Sequence, residues 1–282
     1  PPDRLERLSD LVEADRELDA EKMKALQRDT YSPTSVSIRD ITLAKISSPL
    51  PNEGGEGGGG SSKSTLSPKA VEIFSLLKGW DGRFDADSRG ALAFEAFFAA
   101  LGPELFKAEG REDFWAWVGE TSYARRAVLH ALSRADDATL RPMLARAAEA
   151  ASEPVARYGT WGAIHHIELR NVLAGIPIAG AHYVFGEFPV GGGNETEMKA
   201  AHSPKAAPQR ARYGSQSRHV SDLGDPDANW FVLLGGQDGW FNSSTFLDQV
   251  ELWRAGGYVR MPLTPEAVRK AFPRAMELKA GS

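Results

Sequence analysis

From Asp3 to Arg28, Leu5, Leu8, Leu11, Val12, Leu18, Met23 and Leu26 recur at helical spacing among charged residues. The pattern breaks near Leu18-Asp19, so it predicts two amphipathic helices. After "TLAKISSPLP" the chain runs into "NEGGEGGGGSSKST", which is rich in Gly and Ser and too polar to pack; it reads as a flexible linker or surface loop. Ser67-Pro68 then supplies a capping residue and a first-turn proline. Val71, Phe74 and Leu77 mark one face of the helix that follows, which stops at Gly79. Four further helical stretches, "DSRGALAFEAFFAALG", "REDFWAWVGE", "YARRAVLHALSR" and "ATLRPMLARAAEAAS", come next, with Gly102 and Gly119 as expected stops. From Trp161 the texture changes to short apolar runs between Gly and Pro: "IPIAGAHYVFG", "SRHVSDL" and "NWFVLLGG", which predict strands. Helices first and strands last, without βαβ alternation, give an α+β class. The expected organisation is a helical segment over 1–51, a linker over 52–66, a helical region over 67–158 and a β-rich part over 159–282.

At 282 residues and 42% hydrophobic, the chain can bury a substantial core. A net charge of −5 leaves no electrostatic footprint for nucleic acid. The best apolar run, "VLAGIPIAGAHYVFG", is too short to span a membrane and carries Pro177 and His182. Absence of cysteine excludes disulfides, Cys nucleophiles and thiolate metal sites but says little about compartment. The opening "PPDRLERLSDLV" has neither an initiator Met nor a signal peptide and reads as part of something longer.

The chemical candidates are individually incomplete. "FPVGGGNETEM" invites a phosphate-loop reading, but Gly191, Gly192 and Gly193 lead into Asn194, Glu195 and Glu197, whose carboxylates repel phosphate; a backbone turn needing positive φ fits better. Glu187, Glu195 and Glu197 are close enough for a carboxylate pair, and a solvated loop accounts for them without catalysis. "DADSRG", Asp85 to Gly90, resembles the opening of a calcium loop. Arg89 stands where an oxygen ligand belongs, which leaves a helix cap by Asp85 or Asp87. His165 and His166 are adjacent, so on a strand they face opposite ways and read as polar or edge positions rather than metal ligands. Ser215 or Ser217 with His219 would need a partner acid and has poor base geometry, and "YGSQSR" lacks the second glycine of a serine elbow.

Several stretches taken together are more specific. "LGDPDANWFVLLGGQDGWFNSSTFLDQVELWRAGGYVRMPLT" carries an Asp-rich turn before an apolar strand, Gly235-Gly236-Gln237-x-Gly239, Asp248-Gln249, Leu252-Trp253, Gly257-Tyr258 and Pro262. It resembles the end of the β chain in the penicillin acylase family of N-terminal nucleophile hydrolases. "GIPIAG…FPVGGGNETEM" with Arg218 before "VSDL", "KALQRDTYS" and "LLKGWDGRFDADSRGALAFEAF" are similar to further stretches of that family, in the family's order.

The resemblance implies the C-terminal half of an acylase β chain, a fragment of an αββα fold. The implied chemistry is hydrolysis of a linear amide, of the penicillin or N-acyl homoserine lactone type. An N-terminal Ser attacks, its own α-amine is the base, and a backbone N–H with an Asn side chain holds the oxyanion. Pro1 has no hydroxyl, and both the Ser and the Asn are expected upstream, so this chain alone is expected to be inactive. Arg4, in "PPDRLERLSDLV", matches the segment whose arginine sits beside the oxyanion Asn, and is the one supporting catalytic residue implied here. The implied partners are the upstream α and β segments of one precursor and a small amide substrate, with no nucleic acid and no membrane insertion. No cofactor is implied, with room for calcium in the complete protein, and the implied setting is periplasmic or extracellular. The rival reading is a degenerate, non-catalytic family member acting as a binding or structural module. The glycine blocks at 191–193 and 235–239 are expected to be scaffold turns, with Gly236 at positive φ.

Overall fold

The computed structural model describes residues 2–48, 66–204, 207–274 and 276; the glycine-rich stretch read as a linker lies outside them apart from Leu66. In chain order the elements are α1 (Pro2–Ala14), α2 (Ala20–Leu26), α3 (Pro33–Ser47), α4 (Pro68–Gly79), α5 (Arg89–Ala108), α6 (Glu112–Val118), α7 (Ala124–Arg134) and α8 (Asp137–Tyr158). Then come β1 (His166–Arg170), β2 (Val184–Pro189), β3 (Ala200–Ala201), β4 (Tyr213–Gly214), β5 (Ser217–Ser221), β6 (Asn229–Leu233), α9 (Val250–Arg254), β7 (Val259–Arg260) and α10 (Pro265–Ala271). Mixed helix and sheet agrees with the α+β expectation. Two compact units divide the chain: Pro1–Asp10 with Asp29–Gly214, and Leu11–Arg28 with Ser215–Ser282.

The first unit is organised around α5. Every residue from Ala91 to Phe98 on it is buried, because α4, α6, α7 and α8 all pack against it, and a helix apolar on all sides is stable only when enclosed. Ser67 caps α4 by accepting from the Ala70 N–H, with Pro68 in the first turn, as the sequence predicts. On that helix Val71 is exposed, and Ala70 and Ile73 join Phe74 and Leu77 on the buried face. Ser88, not Asp85 or Asp87, caps α5; its hydroxyl accepts from the Ala91 N–H. Asp85 instead accepts from the Thr30 hydroxyl at 2.6 Å, which ties it to the body of the unit.

Gly119 ends α6, but Gly102 does not end α5, which runs on through Pro103 to Ala108. A Cβ at Gly102 would lie 2.2 Å from the Trp115 ring. The glycine is therefore a seat for that indole, which stacks on Phe106 at 5.3 Å, and aromatic packing outweighs the local cost of glycine and proline.

β1 and β2 pair antiparallel, and β3 and β4 form a two-residue ladder. "IPIAGAHYVFG" is a strand only from Val184 onward. The residues before it form short 3₁₀ turns at Val172–Gly175 and Gly180–Tyr183. The Asn171 side chain accepts from the Leu173 N–H, Pro177 offers no ladder donor, and Ile178 has φ 70°, so this segment cannot continue a ladder.

In the second unit the sheet order is β5-β6-β7, all antiparallel. Arg218 and Val220 face inward along β5. The Arg218 guanidinium lies 4.3 Å from the Trp253 ring centre and donates to the Trp253 carbonyl at 2.9 Å. Gln27, just beyond α2, donates to the His219 carbonyl and accepts from the Tyr258 hydroxyl, which fastens α2 to this sheet. Positive φ occurs at Gly235 (147°), not at Gly236. Gly236 is required for another reason: a Cβ there would meet the Thr245 carbonyl oxygen at 1.9 Å.

Candidate functional site

The triple glycine opens a turn that is fixed from several sides. Gly192 has φ 84°, and a Cβ on it would lie 2.0 Å from the Met198 carbonyl oxygen, so both conformation and space demand glycine. Its N–H donates to the Phe84 carbonyl at 2.7 Å, and its carbonyl accepts from the Trp161 indole at 3.0 Å. The Thr196 hydroxyl accepts from the Gly193 N–H and donates to the Met198 carbonyl. Asn194 pairs through both side-chain atoms with the backbone of His202. The Met198 N–H donates to the Asp29 carbonyl at 2.9 Å.

This turn directs two acids to two arginines. Glu195, expected in a solvated loop, is buried, as is the side chain of Glu197; the hydrogen bonds of Asn194 and Thr196 close the turn on itself and on the His202 backbone, and Glu195 reaches Arg125 of α7. Of the three acids grouped in the sequence, only Glu187 is substantially exposed, on the β1–β2 hairpin. It accepts from the His166 ring at 2.7 Å and pairs with Arg210 at 3.3 Å.

Glu195 meets Arg125 of α7, whose side chain is 1% exposed. Arg125 donates to Glu95 of α5 at 2.5 Å and to the Ser35 hydroxyl of α3 at 2.8 Å. Its guanidinium carbon lies 5.0 to 5.7 Å from the ring centres of Phe84, Phe94 and Phe98. The Arg125–Glu195 contact, at 2.9 Å, is an ion pair without hydrogen-bond alignment, and Glu195 Oε1 has no hydrogen-bond partner among the described residues. Glu95 is held better, because its second oxygen also meets His202 Nε2 at 3.0 Å. The His202 ring packs edge-on against His165 at 4.9 Å, and His165 stacks on Trp161 at 4.3 Å.

These environments separate the titrations. Burial raises Glu195 to about 7: Arg125 opposes the rise and Glu95 adds to it. Burial pushes Glu95 the same way, but Arg125 and His202 together outweigh it and hold Glu95 at about 2. Two carboxylates share one guanidinium, and the proton goes to the one with the poorer contacts. Burial lowers His165 to about 3, so its ring is neutral and Nδ1–H donates to the Gln209 carbonyl at 2.8 Å.

The signs of the linked stabilities follow. The His165 contribution is complete above its ordinary value of 6.5 and is lost as pH falls toward 3. Glu95 behaves alike between 4.5 and about 2, whereas the Glu195 contribution is complete below 4.5 and is lost as pH rises to about 7. His165→Phe should therefore flatten the fall in stability on acidification. Between pH ~7 and ~4 the wild-type loss from this residue should be on the order of 3 kcal/mol, read from urea midpoints at the two pH values.

Glu197 meets Arg4 of α1 at 3.4 Å, and burial raises the Glu197 carboxyl despite that contact. Around Arg4, α1 is pinned on both sides. Asp3 accepts from the Thr34 hydroxyl and from Arg126, and Arg7 donates twice to Asp29, at 2.6 and 3.2 Å. Asp29 also accepts from Arg83 at 2.7 Å. The Arg4 side chain stays 38% exposed, while its Nε is buried and has no hydrogen-bond partner among the described residues.

The structure thus joins Arg4 to the triple-glycine turn but does not assemble the other candidates. His219 pairs with Ser221 rather than with Ser217. His165 is buried, and His166 begins β1 half-exposed. Among the described residues no three His, Asp or Glu side chains converge as a metal-holding group. None of the described helices is long and apolar enough to cross a membrane. Arg125, Glu95 and His202 were not foreseen. A signal for two of them exists: Arg125 stands on the buried stripe of Val128 and Leu132, and Glu95 on that of Ala91 and Phe98, where apolar residues belong.

The family model described as penicillin amidase matches residues 1–270. The chain is 28% identical over 272 residues to the penicillin acylase 2 proenzyme of Pseudomonas sp. (strain SE83), covering 90% of this chain and 32% of that protein. It is 26% identical over 228 residues to the acyl-homoserine lactone acylase QuiP of Pseudomonas fluorescens, covering 72% of this chain and 27% of that protein. The QuiP acylase of Pseudomonas aeruginosa is 25% identical over 319 residues, covering 96% and 36%. The chain therefore spans about a third of the length of the curated relatives it matches.

Proposed function

The chain belongs to the penicillin amidase family, and from that premise we propose that it is the C-terminal part of an acylase that hydrolyses a linear amide of the penicillin or N-acyl homoserine lactone type. In this reading the N-terminal Ser nucleophile and the oxyanion Asn belong to a part of the acylase outside this chain, and the β-rich portion helps complete an αββα core. The Ser hydroxyl adds to the amide carbonyl while its α-amine takes the proton. The carbonyl oxygen becomes an oxyanion held by a backbone N–H and the Asn amide, the amine leaves with the proton, and water releases the acid. The contribution of this chain is Arg4. Its guanidinium orients the Asn amide and adds positive potential where negative charge develops.

The observation that carries this reading is the pairing of Arg4 with Glu197. The arginine that the family resemblance singles out is held by an acid with a buried side chain on a turn that is itself fixed by Asn194 and Thr196, while its own side chain stays 38% exposed. The other parts of the reading, a processed precursor supplying the upstream segments and a periplasmic or extracellular setting, follow from the family alone.

The test compares the complete precursor with this chain on chromogenic phenylacetyl and long-chain acyl amides. The complete protein should turn over at least one of them and the isolated chain neither. Binding without turnover by a complete, processed protein would favour the non-catalytic module. Turnover by the isolated chain, abolished by Ser215→Ala, would overturn both the mechanism and its placement upstream.

A further inference from the structure

Residues 29 and 30 hold the triple-glycine turn at both ends. The Asp29 carbonyl accepts from the Met198 N–H at 2.9 Å, one residue past Glu197. The Thr30 carbonyl accepts from the Phe84 N–H, and the Phe84 carbonyl in turn accepts from the Gly192 N–H. The same Asp29 holds α1 through its buried side chain: both carboxylate oxygens accept from Arg7, in a forked contact that fixes direction as well as distance. The Arg7 guanidinium also lies over the Tyr31 ring, 4.5 Å from its centre. Arg7 stands three positions after Arg4 on α1, so the two arginines are neighbours on the helix surface. The contacts close a ring. Arg4 meets Glu197, Met198 next to it meets the Asp29 backbone, and the Asp29 carboxylate meets Arg7, one turn along α1 from Arg4.

We propose that Asp29 is a positioning residue that brings Arg4 and Glu197 together, its carbonyl fixing the turn and its carboxylate fixing the helix. The consequence for amide hydrolysis rests on the role proposed above for Arg4; the placement of Arg4 does not. The other ties on α1 do less. Asp3 is fastened to Thr34 and Arg126 in the first turn, before Arg4, and by itself leaves the rest of the helix to swing. The Glu6–Arg126 pair lies beyond Arg4 but is half-exposed, where solvent screens it. Arg83 shares the Asp29 carboxylate at 2.7 Å from the loop between α4 and α5, so it supplies a control: its removal changes the charge beside Asp29 but not the hold on α1.

Two measurements test this. In the ¹⁵N-labelled chain the Arg4 Nε–H, which is buried, should exchange slowly with water. Asp29→Asn keeps the carbonyl and the volume but removes the charge. It should speed that exchange at least ~tenfold while the backbone amides of α5 and α8 keep their protection, and Arg83→Met should leave it within about twofold. In the complete acylase, Asp29→Asn should lower kcat about tenfold with KM little changed, a split that loss of folded protein alone does not produce. Arg83→Met should not lower kcat, and Asp29→Asn added to Arg4→Ala should cost nothing further. An Arg4 exchange rate unaltered by Asp29→Asn or altered equally by Arg83→Met, or kcat losses that multiply in the double variant, would overturn the proposal. Should Asp29→Asn fail to fold, Arg7→Lys takes its place, because it keeps the charge but cannot bridge both oxygens; an Arg4 Nε–H exchanging at the wild-type rate would then refute the positioning. Full kcat in Arg4→Ala would sink the proposed role of Arg4, while the exchange rates would still judge its placement by Asp29.

Discussion

Arg125→Met should destabilise the chain by about 3–5 kcal/mol, enough to leave much of it unfolded at body temperature. The volume change is small, so the cost is electrostatic. Glu95 and Glu195 would remain in the core without the cation that both contact, and the Ser35 hydroxyl would keep the Ser32 hydroxyl as a donor but lose Arg125. The three phenylalanine rings around the guanidinium cannot replace it, because their faces attract cations and not carboxylates. The fault should be partly reversible by removing what it strands: Arg125→Met with Glu95→Gln and Glu195→Gln should recover a large part of the loss, since replacing a whole buried ion cluster by neutral groups is far less costly than breaking it. Thermal and urea unfolding of the single and triple variants decide this. A single variant within about 1 kcal/mol of wild type would mean that water reaches the cluster.

What could be read from the sequence was what depends on neighbours along the chain. Ser67-Pro68 and Gly119 are local signals, and they begin α4 and end α6 as expected. The break between α1 and α2, and strands β5 and β6, follow from equally short patterns. Gly102 misled because its meaning depends on Trp115, which belongs to the next helix and presses its ring against α5. The stretch before Val184 misled because its apolar composition suits a strand, while Asn171, Pro177 and Ile178 settle its backbone otherwise.

The site divides in the same way. Arg4 and the triple-glycine turn were both marked, one by resemblance and one by composition, but nothing in the spacing of residues 4 and 197 says that they meet. The solvated reading of Glu195 followed from its polar neighbours. What buries it is an arginine 70 positions earlier in the chain, whose own position on an apolar stripe was the available clue. Charged residues at core positions are the entries in a helical pattern most worth pairing across a sequence, because each requires a counter-charge somewhere.

The second large effect concerns Arg4, and its measurement bears most directly on the account. Arg4→Ala in the complete acylase should lower kcat by about 10- to 100-fold, below the loss expected for removing an oxyanion donor itself, because Arg4 acts through the amide it orients. KM should change little, and the half-exposed position of the side chain should spare stability. Glu197→Gln alone should cost roughly tenfold by leaving Arg4 unheld. The deciding measurement is the double-mutant cycle on kcat for a chromogenic acyl amide with Arg4→Ala, Glu197→Gln and both. Once Arg4 is gone, Glu197 has nothing left to hold, so the double variant should be no slower than Arg4→Ala. Losses that multiply, or an Arg4→Ala enzyme at full kcat, would contradict the claim that this pair serves amide hydrolysis.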